Sequence, residues 1–233
     1  MLDYGFYNMD CMDGMREFPD KFFDLAIVDP VYGDVTQGGY MAQKGGERWG
    51  NGKAAERGYN NNVWKQEKTG KEYFNELFRV SKNVIIWGGN YFVEEIGRNS
   101  QGWIIWDKQK AEGVRFADAE LAYTSFNRAT RIFRYKWNGF IQEDMKEKEY
   151  RIHPTQKPMR LYEWILMNYA EPGDVILDTH VGSASSLIAC RRTGHDYVGF
   201  EIDKDYYDLA SKRLETEGAQ MTIFNYGFNP YQD

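Results

Sequence analysis

Four residues that follow a short apolar run could hold a flat molecule that carries an amino group. They are Asp29, Pro30, Val31 and Tyr32, and the apolar run before them is Phe23 to Val28. A carboxylate and a backbone carbonyl can each accept one amino hydrogen, and a tyrosine ring can stack on a planar heterocycle. Such a tetrapeptide also occurs in ordinary turns, so a purely structural role stays open.

A second segment, from Gly173 to Asp203, has the pattern strand, loop, helix, strand. Asp178 ends its first apolar run, the loop carries Gly182-Ser183-Ala184, and Glu201 ends the second run 23 positions after Asp178. Small loop residues let the backbone approach a ligand, and an acid about 20 residues further on suits the hydroxyls of a ribose. The loop lacks the G-x-G-x-x-G spacing of dinucleotide sites, and an ordinary strand–turn–helix remains an alternative.

The third segment, His153-Pro154-Thr155-Gln156-Lys157-Pro158, precedes an amphipathic helix. Alone it is a proline-bounded loop. In the order Asp-Pro-x-Tyr, His-Pro-Thr-Gln-Lys-Pro and Asp-x-x-x-Gly-Ser, the three segments resemble the amino DNA methyltransferases of the β motif order, in which the catalytic motif precedes the cofactor motif. The resemblance covers most of the chain, including residues 87–92 and 106–108. It is strongest to compact adenine-specific enzymes of phages and prophages.

The resemblance implies roles for individual residues. It implies a catalytic motif at Asp29, Pro30 and Tyr32. It implies positions that bind S-adenosylmethionine in three places: Asp10 for the adenine, Thr155 and Lys157 for the methionine end, and Asp178, Gly182, Ser183, Ala184 and Glu201 around the second segment. The residues expected on the DNA side are Lys65, Lys68, Lys71, Asn90 and Lys108.

Four residues, in three places, depart from the usual pattern of that family. Val31 stands where the family has a second proline, so the turn is less rigid. Thr179 and His180 replace the usual Pro-Phe, and Ala184 replaces the second glycine. The carbonyl of Pro30 and the backbone donors of the loop remain. We therefore interpret the changes as variation within an active branch.

The implied reaction is transfer of a methyl group to the exocyclic N6 of adenine in DNA, with the target base flipped out of the duplex. Cytosine N4 is the runner-up, because Asp-Pro favours adenine only as a tendency. A C5-cytosine mechanism needs a cysteine nucleophile, and neither Cys11 nor Cys190 lies in a suitable loop. A decayed DNA-binding protein is the alternative outside the enzymes. Methylation of a protein amide is disfavoured by Asp29, because related enzymes use Asn-Pro.

The elements that must position these residues alternate between strands and helices. This alternation predicts an α/β fold with a mostly parallel central sheet and helices on both faces. The resemblance makes it a Rossmann-like S-adenosylmethionine-dependent methyltransferase fold with a circularly permuted motif order. Residues 120–125 and 130–135 predict a strand pair, and residues 142–150 a charged surface connection. We expect a single domain, 1–233, with DNA-contacting insertions at 33–72 and 128–152.

Charge and composition narrow the choice of partner. The net charge of −6 argues against a protein that coats DNA nonspecifically. Residues 41–72 nevertheless carry a local excess of +3 and residues 128–160 one of +5, and these are the expected DNA contacts. The three histidines and two cysteines show no metal-ligand spacing, so no metal is expected. The lack of a signal-peptide pattern predicts a cytoplasmic protein; a homodimer stays open.

Overall fold

The computed structural model describes residues 1–33, 67–110, 117–138, 141–146 and 148–227. Within these ranges the strands are β1 (Gly5–Asn8), β2 (Phe23–Val28), β3 (Ser81–Trp87), β4 (Trp103–Asp107), β5 (Ala119–Thr124), β6 (Arg131–Arg134), β7 (Trp137–Asn138), β8 (Ile141–Gln142), β9 (Val175–Asp178) and β10 (Asp196–Glu201). The helices are α1 (Cys11–Arg16), α2 (Lys71–Val80), α3 (Val93–Ile96), α4 (Met159–Tyr169), α5 (Ser185–Thr193) and α6 (Lys204–Gly227), and a 3₁₀ turn spans Gly89–Tyr91. None of these helices is long and apolar enough to cross a membrane.

Eight of the strands form one sheet in the order β1-β10-β9-β2-β3-β5-β4-β6. The pairs from β1 to β3 are all parallel, as is β4 with β6, whereas β5 runs antiparallel to both of its neighbours. β7 and β8 form a separate hairpin. The predicted mostly parallel α/β sheet is confirmed.

Alternate residues of the central strands face opposite sides, because side chains along a strand alternate with a period of two. Ala26 and Val28 of β2 pack into a cluster with residues of α1 and α2, such as Met15 and Phe74. The neighbouring positions of β2, among them Ile27, pack into a second cluster with α4 and α5. The sheet is therefore buried on both faces, which explains why its central strands are almost continuously apolar.

Two local predictions need correction. Both predicted strands at residues 120–125 and 130–135 exist, but β4 lies between them and pairs with each, so they are not a pair. The segment at 142–150 is only partly a surface connection. The Gln142 side chain is buried, and it exchanges hydrogen bonds of 2.9 and 2.8 Å with the backbone of Glu149. This exchange satisfies the polar groups that burial would otherwise leave unbonded.

The strand order reverses between β9 and β2. From β9 the chain crosses through α5 to β10 on one side, and from β2 it crosses through α2 to β3 on the other. In open α/β sheets such a reversal leaves a crevice outside the carboxyl ends of the strands, where ligands bind. Asp29 and Asp178 lie at these two strand ends, so the fold brings two of the three sequence segments to one place.

Candidate active site

The register of β2 against β9 aligns the two motifs. Leu25 lies opposite Ile176 and Ala26 opposite Leu177 in this parallel pair. Continuing that register places Asp29 beside His180 at the same edge of the sheet. The Asp29–Tyr32 segment and the loop after β9, about 150 positions apart in sequence, are thus neighbours at the crevice.

Asp178 is a buried carboxylate that organises the loop after β9. It accepts hydrogen bonds from the backbone N–H of His180, at 3.0 Å, and from the hydroxyl of Ser186 at the start of α5. Burial raises the pKa of the Asp178 carboxyl to about 7, and the Ser186 hydrogen bond offsets only part of that rise. These two hydrogen bonds hold the loop after β9 in its observed conformation.

The loop itself turns through two left-handed residues. Gly182 has φ +55° and Ala184 has φ +61°. Glycine adopts this conformation freely, whereas an L-residue is disfavoured by roughly 1–2 kcal/mol. Ala184 is fully buried in a cluster with Leu187 and Ile188, so packing of its methyl group offsets part of that cost. This is a physical reason why a glycine is usual at position 184 and why alanine can replace it.

Glu201 ends β10 and faces the same loop. Its two carboxylate oxygens accept hydrogen bonds of 2.9 Å each, one from the N–H of Gly182 and one from the N–H of Asp203. Burial raises the pKa of Glu201. On the next strand, Asp10 caps the start of α1 by accepting from the N–H of Met12 at 2.7 Å, and it is exposed. The expected cofactor acids therefore line three adjacent strand ends, those of β9, β10 and β1.

Asp29 and Tyr32 form the second half of the site. The Tyr32 hydroxyl donates a hydrogen bond to one oxygen of Asp29. The Tyr32 ring packs beside Tyr91, with ring centroids 5.2 Å apart, and against the backbone of Gly88. Gly88 has φ +64°, and a Cβ there would overlap the Tyr32 ring. Pro30, which follows Asp29 in the chain, is buried.

The structure places Lys157 at Asp29. Its ammonium group forms an ion pair with the second oxygen of Asp29 and lies 3.3 Å from a carboxylate oxygen of Glu120. Only 4% of the Lys157 side chain is exposed. Burial lowers the pKa of Lys157, but Asp29 and Glu120 outweigh burial, so the pKa is raised. The methionine-end role expected for Lys157 stays a prediction; its observed ion pairs are with Asp29 and Glu120.

The rest of the His-Pro-Thr-Gln-Lys-Pro segment reaches the cofactor loop. The His153 ring lies about 3.6 Å from where a Cβ of Gly182 would be, and it packs edge-on against Tyr206. Burial lowers the pKa of His153 to about 4, so the ring is neutral. The Thr155 hydroxyl is exposed and hydrogen-bonded to His153 at 3.0 Å. This segment therefore touches both halves of the site.

Sequence reasoning missed three residues of the site. Glu120, at the start of β5, pairs with Lys157 and Lys108; burial opposes its ionisation, but the two lysines lower its pKa to about 2. A charge at the first positions of an apolar strand was its only sequence signal. Tyr73 and His180 were also missed as partners: the hydroxyls of Tyr73 and Thr179 are 2.5 Å apart, and that of Thr179 is 2.9 Å from the His180 ring nitrogen.

The residues expected on the DNA side have different surroundings. Lys71 and Asn90 are exposed. Lys68 pairs with Glu95 and lies over the Phe92 ring. Lys108 is 19% exposed, pairs with Glu120 and lies 5.0 Å from the Trp106 ring. Its contact with DNA stays a prediction. Lys65 lies outside the described residues, as does most of the 33–72 insertion.

A family model described as DNA methylase, for N6 and N4 enzymes, matches residues 106–212. The type II methyltransferase M.HinfI of Haemophilus influenzae is 25% identical over 240 residues, which cover 88% of this chain. The chain spans 66% of the length of M.HinfI.

Two solved structures share the fold. One is the M1.HpyAVI–SAM complex, with a TM-score of 0.56, 19% identity, and coverage of 89% of this chain and 98% of that one. The other is the cytosine-N4-specific PvuII DNA methyltransferase, with a TM-score of 0.58, 13% identity, and coverage of 94% and 92%. The mostly parallel sheet and the likeness to these two structures show a Rossmann-like α/β fold of the kind found in DNA methyltransferases. The sequence matches make the chain similar to amino DNA methyltransferases, which comprise N6-adenine and N4-cytosine enzymes.

Proposed function

We propose that this protein transfers a methyl group from S-adenosylmethionine to the exocyclic N6 of adenine in DNA. The observation that carries the proposal is the meeting of Asp29-Pro30-Val31-Tyr32, at the end of β2, with the Asp178–Ala184 loop, at the end of β9. A site for methyl transfer needs an acceptor for amino hydrogens next to a place for the methyl donor. These adjacent strand ends supply both.

The residues at the ends of β9, β10 and β1 fit the proposed cofactor. Glu201 presents a carboxylate at a strand end, where it can accept hydrogen bonds from ribose hydroxyls. Gly182 and Ser183 give a small, close-packed loop whose backbone a ligand can approach. Asp10 is exposed at the neighbouring strand end. When bound, the cofactor supplies an electrophilic methyl group on a positively charged sulfur.

The residues at the end of β2 fit the proposed substrate. An exocyclic amine is a weak nucleophile because its lone pair is delocalised into the ring. Asp29 and the Pro30 carbonyl accept its two hydrogens and favour a tetrahedral nitrogen, and Tyr32 stacks on the base. The bound cofactor would supply the methyl group, with its sulfur keeping the electron pair of the C–S bond, and the methylated nitrogen would lose one proton to Asp29 or to water. Positioning and electrostatics supply much of the rate.

Adenine is favoured over cytosine by the Asp-Pro pair at Asp29 and Pro30, and cytosine N4 is the second candidate. The two products are distinguished directly. DNA of mixed sequence is incubated with the protein and cofactor, digested to nucleosides and analysed by mass spectrometry. N6-methyladenine supports the proposal, and N4-methylcytosine supports the second candidate. Binding of both ligands without either product would identify a decayed binding protein.

DNA is proposed to approach the carboxyl-end edge of the sheet, with the target base flipped into the site. The domain is then a single unit whose segments 33–72 and 128–152 contact the duplex.

Lys71 begins α2 on the carboxyl-end side of the sheet, whereas Lys82 lies near the start of β3 on the opposite side and is similarly exposed. Lys71→Gln should reduce the slope of log affinity against log salt by about 0.9, the value for one phosphate contact. Lys82→Gln is the control, and equal slopes for both variants would remove Lys71 from the interface.

A further inference from the structure

A row of four alternating charges crosses the site. In order it consists of Asp29, Lys157, Glu120 and Lys108, and each ion-pairs with the next. Every side chain of the row is at most 27% exposed. The row joins the end of β2 to the start of β5 and the residue after β4. An ion-paired row with little solvent is costly to break at one member, because a buried charge would lose its partner.

In this arrangement both oxygens of Asp29 are engaged. One accepts from the Tyr32 hydroxyl and the other from the Lys157 ammonium group. In the proposed reaction an oxygen of Asp29 must accept an amino hydrogen while positive charge builds up on the nitrogen. A lysine charge in contact with Asp29 opposes that build-up and weakens the carboxylate as an acceptor. The resting pair of Lys157 with Asp29 therefore works against the chemistry.

Glu120 offers Lys157 another partner. Its carboxylate oxygen is already 3.3 Å from the Lys157 ammonium group, so a small side-chain movement changes the partner without moving the lysine into solvent. Glu120 is fixed on its other side by Lys108. The two lysines keep its pKa at about 2, so Glu120 is charged at neutral pH.

We propose that Glu120 is a positioning residue that takes Lys157 away from Asp29 when the target base enters, which frees Asp29 to accept the amino hydrogen. This inference rests on the proposed function. Lys157 then has two positions, one on Asp29 in the resting site and one on Glu120 in the reacting site. Glu120 touches neither substrate and acts only through Lys157.

The test compares variants in single-turnover methyl transfer, with cofactor affinity measured by calorimetry and stability by thermal unfolding. Glu120→Gln keeps the shape but leaves Lys157 only Asp29 as a charged partner. We expect transfer to slow by about tenfold or more, with cofactor affinity within about twofold of wild type. Glu120→Asp keeps the charge and should be intermediate. Glu94→Gln, an exposed glutamate on α3, is the control and should transfer at the wild-type rate.

A double-mutant cycle separates this role from a merely structural one. If Glu120→Gln acts by leaving Lys157 on Asp29, the same change should have no further effect in a Lys157→Met background. Additive losses in rate would overturn the inference, as would wild-type rates for Glu120→Gln. If Lys157→Met does not fold, the two single variants of Glu120 decide: a rate for Glu120→Asp no higher than for Glu120→Gln overturns it. A wild-type protein that binds cofactor but methylates nothing overturns the proposed function instead, and this inference with it.

Discussion

Replacing His180 with phenylalanine tests the electrostatics of the crevice. His180 follows Asp178 and Thr179, is partly buried, and is hydrogen-bonded to the Thr179 hydroxyl at 2.9 Å. Burial lowers its pKa from 6.5 to about 4, although Asp29 and Asp10 act in the opposite direction. The folded protein therefore holds a neutral imidazole over a pH range in which the unfolded chain is protonated.

The sign and size of the effect follow from this difference. Because the folded pKa is lower than the unfolded one, the unfolded state binds more protons between pH 6.5 and about 4, and stability falls as the pH falls through that window. One pKa unit corresponds to about 1.4 kcal/mol. At pH 5 the solution is about 1.5 units below the unfolded pKa of the imidazole, so His180 lowers the free energy of unfolding by about 2 kcal/mol relative to pH 8.

The measurement is urea unfolding of the wild type and of His180→Phe from pH 8 to pH 5. Asp178, whose pKa is raised by burial, changes stability in the opposite sense over much of this range, so only the difference between the two proteins is informative. That difference should shift by about 2 kcal/mol in favour of the variant on acidification. Tyr73→Phe, which removes a hydroxyl from the same buried chain, is the control and should give a pH-independent difference. Parallel curves for wild type and His180→Phe would refute the argument.

Two further predictions use matched pairs of variants. Gly88→Ala and Gly97→Ala both place alanine at a left-handed φ, +64° and +58°, which should cost each roughly 1–2 kcal/mol of stability. Gly88→Ala should lose more than Gly97→Ala, because its Cβ also overlaps the Tyr32 ring. Only Gly88→Ala displaces the Tyr32 ring, so it alone should slow methyl transfer; equal rates would mean that Tyr32 has no part in the reaction. Glu201→Gln should weaken cofactor binding by about 1–3 kcal/mol in calorimetry, because a charged acceptor is lost. Asp196→Asn, at the exposed start of the same strand, should bind as wild type does, and similar affinities for both would contradict the ribose assignment.

The parts of the fold that could be predicted are those encoded locally. β2 and β9 are short apolar runs buried on both faces, and the predicted runs end at Val28 and Asp178, where the observed strands end. The strand-end position of Asp29 and Asp178 follows from the same pattern, since a parallel sheet gathers the carboxyl ends of its strands. The order of β5, β4 and β6 could not be predicted, because periodicity within a strand does not specify its neighbour.

The ion pairs of the site were also beyond sequence reasoning. Lys157 and Asp29 are 128 positions apart, and only the folded sheet brings them together. A lysine in a loop is usually solvated, and nothing local indicates that this one is buried. The sequence around Glu120 likewise does not indicate that this glutamate pairs with Lys157. Asp10 and Glu201 could be predicted as site residues because each lies at the end of a strand. The pairing of Lys157 with Glu120 could not be predicted, because it depends on how distant segments fold together.

In the proposed reaction, Asp29 accepts one amino hydrogen of the target base. The most direct test is single-turnover transfer of a labelled methyl group to mixed-sequence DNA by the wild type and by Asp29→Ala, with Asp20→Ala, a 77%-exposed aspartate, as the control. We expect Asp29→Ala to lose several orders of magnitude in rate, while its affinity for the cofactor changes little and Asp20→Ala is unaffected. An Asp29→Ala protein that methylates DNA as fast as wild type would show that Asp29-Pro30-Val31-Tyr32 is only a turn.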